Sequence, residues 1–181
     1  DGRGEVLSFG GQVMKNVAGY DVPRLLAGSL GTLGVILEVS LKVLPRPVAE
    51  SSLRLASDEV AALQRLNQWG GRPLPISASA WHDGVLTLRL SGAAAAVAAA
   101  RRTLAGEVLD EPVADAFWQS LREQQHDFFA GDAPLWRLGL PAVAPPLGLG
   151  PTLIEWGGAQ RWLRGGEAGI IREAAARAGG H

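Results

Sequence analysis

"ISASAWHDGVLTLRL", residues 76–90, reads as two strands, Ile76 to Trp81 and Val85 to Leu90, folded back on each other at an Asp83-Gly84 turn. Asp-Gly accepts the left-handed backbone that a two-residue hairpin turn requires. Working outward, the pattern predicts a helix from Asp58 to Trp69 before the hairpin and a strand from Ser52 to Ala56 before that helix. After the hairpin, Ala93 to Leu104 reads as a second helix, with the alanine run 93–100 supplying high helix propensity. Glu107 to Leu109 can then provide a closing strand, which completes the β-α-β-β-α-β order of a ferredoxin-like unit.

Further along, the pattern gives a helix at Asp115 to Gln125, a strand at Leu135 to Leu140 and the Pro-Gly stretch "PAVAPPLGLGP". "TLIEWGG" and "AQRWLRG" form a hairpin around Gly157-Gly158, and a helix from Glu167 to Ala178 follows. The strand and helix order of the middle region can begin again after Pro112. Toward the other end, the two prolines of "LPRPVAES" and the shift to Ala, Leu, Trp and Arg beyond them place a domain boundary near residue 47. Two domains are therefore expected, 1–47 and 48–181. In the first, Asp1-Gly2 is read as a turn beside a strand carrying Val6, Leu7 and Phe9. Asp21 is an N-cap, Pro23 sits in the first helical turn, and Gly28 ends a short helix after Ala27. From Val35 to Val43 apolar residues alternate with Glu38, Ser40 and Lys42, which predicts a half-buried strand. The first domain opens as if in mid-sheet and the chain stops in a helical pattern, so a fragment of a longer protein is expected, the second domain being incomplete at its C-terminal end.

Composition sets limits on function. With 181 residues, 47% apolar and 19% charged, the chain is long enough to bury a real core. A net charge of -1 carries no basic footprint for nucleic acid or an anionic membrane. No run of 18 apolar residues exists, so no transmembrane segment is expected. Cysteine is absent, which excludes disulfides and thiolate metal sites and suits a cytoplasmic protein.

"GSLGTLGVI", residues 28–36, removes side chains at Gly28, Gly31 and Gly34. The spacing is not that of a dinucleotide fingerprint, and it follows a helix where that fingerprint follows a strand. Three uses remain: ending the helix, permitting positive φ, and letting backbone amides approach a flat or anionic ligand. Ser29 and Thr32 add hydroxyls here, and Asn16, Gly19 and Tyr20 form a second polar and glycine cluster upstream.

These residues carry a resemblance. "FGGQVMKNVAGYDVPRLLAGSLGTLGVILEVSLKVLPRP" resembles the FAD-binding subunits of bacterial glycolate oxidases, within the vanillyl-alcohol oxidase and p-cresol methylhydroxylase (PCMH) flavoprotein family. The family pattern K-N-x-x-G-Y-D followed by G-S-x-G-T-L-G-[VI]-[IL] is matched from Lys15 to Asp21 and from Gly28 to Ile36, and "LREQQHDFF", "LWRLGLP" and "IEWGGAQRWLR" are similar to the cap of the same subunits. The resemblance implies an α+β fold: residues 1–47 as the C-terminal segment of a PCMH-type FAD-binding domain, then a ferredoxin-like antiparallel-sheet cap. It implies FAD as cofactor, held by Asn16, Gly28, Ser29, Gly31, Thr32, Leu33, Gly34, Val35 and Ile36. It also implies oxidation of glycolate to glyoxylate, with hydride passing to flavin. The implied partners are a second flavin subunit and an iron-sulfur subunit, through which the protein would sit peripherally at the inner membrane. The family's glycine-rich pyrophosphate loop lies upstream of the matched stretch, so this chain alone is expected to hold FAD weakly and to be inactive. Two other readings stand beside this one: a non-catalytic assembly subunit, and a flavin enzyme for another 2-hydroxy acid such as D-lactate.

On the substrate side the residues are less informative. Arg137, beside Trp136 on a strand, can bind a carboxylate through its planar guanidinium, although an outward-facing strand arginine is the plainer reading. Arg161 and Arg164 carry the same ambiguity. His82 beside the Asp83-Gly84 turn reads as an exposed loop histidine, and the three histidines lack metal-ligand spacing. Trp118, Trp136, Trp156 and Trp162 read as core or interface residues rather than a flavin-stacking set.

Overall fold

The structure is a computed structural model that describes residues 1–11 and 19–181. Its backbone contacts divide the chain into two units, Asp1–Pro45 and Arg46–His181.

In the first unit the regular element among the described residues is helix α1, Val22–Leu26. The Asp21 carboxylate accepts from the Arg24 amide, a proline occupies the first turn, and Ala27 and Gly28 leave the helix as expected. The two strands expected here do not form. At the start the Asp1 side chain accepts from the Arg3 and Glu5 amides, giving a polar turn rather than a hairpin. Val35 to Val43 is without strand pairing, and Val35, Leu37, Val39, Leu41 and Val43 are all exposed. Alternation supplies one face of a strand but not the neighbouring backbone that its amides and carbonyls need.

The second unit is α+β, built on one antiparallel sheet of seven strands in the order β4-β1-β3-β2-β6-β7-β5. Strand β1 (Ala49–Ala56), helix α2 (Glu59–Gly70), the hairpin β2 (Ile76–His82) and β3 (Val85–Gly92), helix α3 (Ala94–Leu104) and short β4 (Glu107–Val108) follow in chain order. The hairpin turn is closed by Asp83 and Gly84, both at positive φ. Alternate residues put Leu53, Leu86, Leu88, Leu90 and Trp81 on one face, where Ala62, Leu63 and Leu66 of α2 and Val97, Ala100 and Leu104 of α3 cover them.

Helix α4 (Glu111–Arg122), a 3-10 turn at Asp127–Phe129, and strands β5 (Leu135–Gly139), β6 (Thr152–Glu155) and β7 (Gln160–Arg164) come next, and helix α5 (Ala168–Arg177) closes the unit. These strands do not build a separate layer. β6 pairs with β2, Trp81 opposite Ile154, so the two halves share one sheet. Helix α5 packs on the α2 and α3 side, through Ile171 and Ala175 against Leu138 and Leu163. Helix α4 lies on the opposite face, where Leu121 and Phe128 meet Ala80, Leu153 and Trp162. One helix cannot cover seven strands, so much of that face stays open.

Candidate functional site

In the first unit the segment 28–36 is a succession of tight turns. Gly28 and Gly31 have φ of +81° and +80°, and Leu30 between them is also left-handed at +53°. A Cβ at either glycine would meet nothing within 4 Å, so backbone conformation, not packing in this unit, requires glycine there. The Ser29 and Thr32 amides donate to the Leu26 and Ser29 carbonyls, and the Thr32 hydroxyl also donates to Ser29. Among the described residues the amides of Leu33, Gly34, Val35 and Ile36 have no intramolecular acceptor, which leaves a run of free donors at exposed backbone. Asn16 and Lys15 lie outside the described residues.

In the second unit an open groove of about 1480 Å³ borders α4 (Trp118, Arg122), strands β1 to β3 (Glu50, Ser52, Ser77, Arg89) and the β6–β7 end (Glu155, Gln160). Two polar arrangements are built into it. Glu155 Oε2 accepts from Trp162 Nε1 at 2.7 Å and from Gln160 Nε2 at 3.0 Å, so this carboxylate is oriented by two neutral donors. Arg89 Nε donates to Ser77 Oγ at 3.0 Å, and its guanidinium lies 5.6 Å from the Trp118 ring centroid. Trp118 is fixed in turn by its Nε1 donating to Ser52 Oγ at 2.8 Å. No sequence signal marked Arg89 or Glu155, because each acquires its partners only through cross-strand register.

Of the arginines singled out from sequence, Arg137 is exposed on edge strand β5, opposite Trp162 and outside the groove lining. Arg161 is not a surface residue. It is 1% exposed, and its guanidinium donates to the carbonyls of Gly158, Pro145 and Ala144. The Pro-Gly stretch is thereby tied to the β6–β7 turn. Burial pulls the Arg161 pKa down and raises that of Glu59, each opposed by the attraction of the other. Arg164 bonds the carbonyls of Phe128, Gly131 and Ala133, holding the segment after α4.

His82 is the last residue of β2 and half-buried, not an exposed loop histidine. It meets His126 edge to face, with ring centroids 5.5 Å apart, between Phe128 and Phe117. Burial lowers the pKa of both, and for His126 the nearness of His82 adds to the effect. His126 Nδ1 accepts from the Phe128 amide at 3.2 Å, capping the 3-10 turn. Among the described residues no three His, Cys, Asp or Glu side chains gather in a way that could hold a metal ion.

The tryptophans divide sharply. The indole N–H groups of Trp81, Trp118 and Trp162 are bonded to Ser57, Ser52 and Glu155. Trp156, at the β6–β7 turn, is 72% exposed and sits at φ +53°. A bulky residue there is strained, and the surrounding turn enforces the strain. The Gly157 amide donates to Ser79 Oγ, and a Cβ on Gly158 would lie 2.8 Å from the Ala142 carbonyl oxygen.

Comparison with known sequences finds similarity to proteins named as oxidases and dehydrogenases of 2-hydroxy acids. Short stretches are similar to the glycolate oxidase subunit GlcD of Bacillus subtilis (strain 168), 39% identical over 60 residues, 33% of this chain and 13% of that protein. Another matches a D-lactate dehydrogenase of Anaerostipes hadrus, 46% identical over 50 residues, 28% of this chain and 10% of that enzyme. A match along nearly the whole chain is to the glycolate oxidase subunit GlcE of Escherichia coli (strain K12), 50% identical over 182 aligned residues covering 99% of this chain. The chain spans about half of that relative, 51% of its length. No family model matches the chain, and no solved structure does. Among the described residues no helix is long and apolar enough to cross a membrane.

Proposed function

We propose that this chain is part of the FAD-carrying subunit of a glycolate oxidase complex, which oxidises glycolate to glyoxylate. The observation that carries the reading is 50% identity to GlcE sustained over 99% of the chain. In this reading residues 1–47 are the last segment of a PCMH-type FAD-binding domain and 48–181 a ferredoxin-like cap. The β-α-β-β-α-β order of β1 to β4 with α2 and α3 supports the cap assignment. A second flavin subunit and an iron-sulfur subunit complete the complex.

Gly28, Ser29, Gly31, Thr32, Leu33, Gly34, Val35 and Ile36 are the proposed FAD contacts, and Asn16, outside the described residues, is proposed as a further one. The free amides from Leu33 to Ile36 and the open space above Gly28 and Gly31 fit a flat group lying against the backbone. FAD, when bound, supplies an acceptor for the hydride that leaves the substrate carbon. The chain's own contribution is to hold and orient: backbone donors at 28–36, and in the groove a fixed guanidinium and the fixed Glu155 carboxylate.

The test is to load the full-length protein with FAD, desalt it, and record its absorbance, then to add partner subunits and follow dye reduction with glycolate and with D-lactate. Retained flavin with glycolate-dependent reduction is the expected result. Retained flavin with D-lactate as the preferred substrate would move the substrate to that acid, a reading the short match to a D-lactate dehydrogenase favours. Loss of flavin from the full-length protein would overturn the assignment of FAD to this subunit.

A further inference from the structure

At the groove a chain of side chains joins Arg89 to Glu50 through the hydroxyls of Ser77, which lines the groove, and Ser91. Ser91 Oγ donates to Glu50 Oε1, Ser77 Oγ and Ser91 Oγ are 2.7 Å apart, and Arg89 Nε donates to Ser77 Oγ at 3.0 Å. With the Ser91 proton committed to Glu50, the Ser77 proton has Ser91 Oγ and, at 3.2 Å, the Arg89 carbonyl as acceptors, and the Ser77 lone pairs are left for Arg89 Nε. Nε is also the Arg89 atom paired with Glu50, at 4.0 Å, too far for a hydrogen bond. The guanidinium carbon also lies over the Trp118 ring.

The hydrogen bond and the ion pair both use Nε. Among the described residues neither Nη atom of Arg89 has a hydrogen-bond acceptor, the side chain is 38% exposed, and it lines the groove. A guanidinium fixed along Nε with its terminal fork unspent has the geometry for two parallel bonds to a carboxylate. Among the described residues Arg137, on the edge strand, has no comparable fixing contact.

We propose that Arg89 is the carboxylate-binding residue of the groove and that its ligand is a small organic acid anion. Glu50 restrains that affinity, because its charge competes for the same cation while its bond to Ser91 keeps the relay in line. The proposal deepens the functional reading above and rests on it for the choice of acid.

Equilibrium binding of glycolate and of oxalate, which lacks an oxidisable hydroxyl, to the full-length protein tests it by calorimetry without turnover. Arg89→Met is expected to weaken binding at least about 30-fold, and Arg89→Lys about tenfold, because an ammonium lacks the fork. Glu50→Gln is expected to tighten binding several-fold, an effect that a misfolded variant would not give. Wild-type affinity in Arg89→Met, weaker binding in Glu50→Gln, no carboxylate binding by the wild type at millimolar concentration, or a loss confined to Arg137→Gln would each overturn the proposal. Glycolate turnover unaffected by Arg89→Met would sink the site but leave the oxidase reading standing. Arg89-dependent anion binding in a protein that retains no flavin would do the reverse.

Discussion

At residue scale the β6–β7 turn sets two neighbours against each other. Trp156 is held in the left-handed region that its side chain disfavours by about 1–2 kcal/mol. Trp156→Gly should therefore raise the unfolding free energy by about 1 kcal/mol, after allowing for the extra freedom of glycine in the unfolded chain. Gly158→Ala should do the opposite and cost about 2 kcal/mol, because its Cβ would press on the Ala142 carbonyl and on Leu63 Cδ2 at 2.9 Å. Urea titration of both variants checks the pair, and a loss in Trp156→Gly would show that the indole packs rather than strains. Arg161 offers a second contrast. Arg161→Lys keeps the charge but gathers its donors on one nitrogen, whereas Nε, Nη1 and Nη2 of the guanidinium each reach a different carbonyl, so it should still cost about 2 kcal/mol, measured in the same titration.

At the scale of elements, the 3-10 turn at Asp127–Phe129 is where pH enters. His82 and His126 have pKa values lowered in the folded protein, so folding favours their neutral forms. The stability tied to them is complete above the ordinary histidine value of about 6.5 and is lost as pH falls below it through the lowered folded values. Protonated His126 also loses the Nδ1 lone pair that accepts from Phe128. Asp83 and Asp127 face the pair and soften the effect. Stability measured from pH 7.5 to 5 should fall, and His82→Phe with His126→Asn should flatten that profile. The element boundaries show what sequence carries. Asp58 caps α2, and Asp83-Gly84 closes the β2–β3 hairpin, because both are local devices read from adjacent residues. Helix α4 was expected from Asp115 yet begins at Glu111 with Pro112 in its first turn, a start that Asp110 and Pro112 could have revealed. Nothing local could reveal the meeting of His82 with His126, 44 positions on, or the Arg89 to Glu50 relay, since both depend on how strands and turns stack.

The whole molecule is asymmetric in its self-sufficiency. Residues 46–181 bury three apolar clusters of their own, whereas Val35, Leu37, Val39, Leu41 and Val43 display alternating apolar side chains to solvent. An excised 46–181 chain should unfold cooperatively on heating, as followed by circular dichroism, and a broad non-cooperative melt would show that it leans on the first 45 residues. The alternating strand was legible as a pattern, but its realisation needs a neighbouring strand. The seam between β2 and β6 has a kinetic meaning as well. Trp81 must find Ile154 across 73 positions of chain, and a connection of that span gives no reward until its loop has closed. The long-range pairing at the centre of the sheet should slow folding, with hairpins expected early and the join between them late. Between those events the edges of β2 and β6 stand open to other chains, so crowding during synthesis is the period of greatest risk of aggregation.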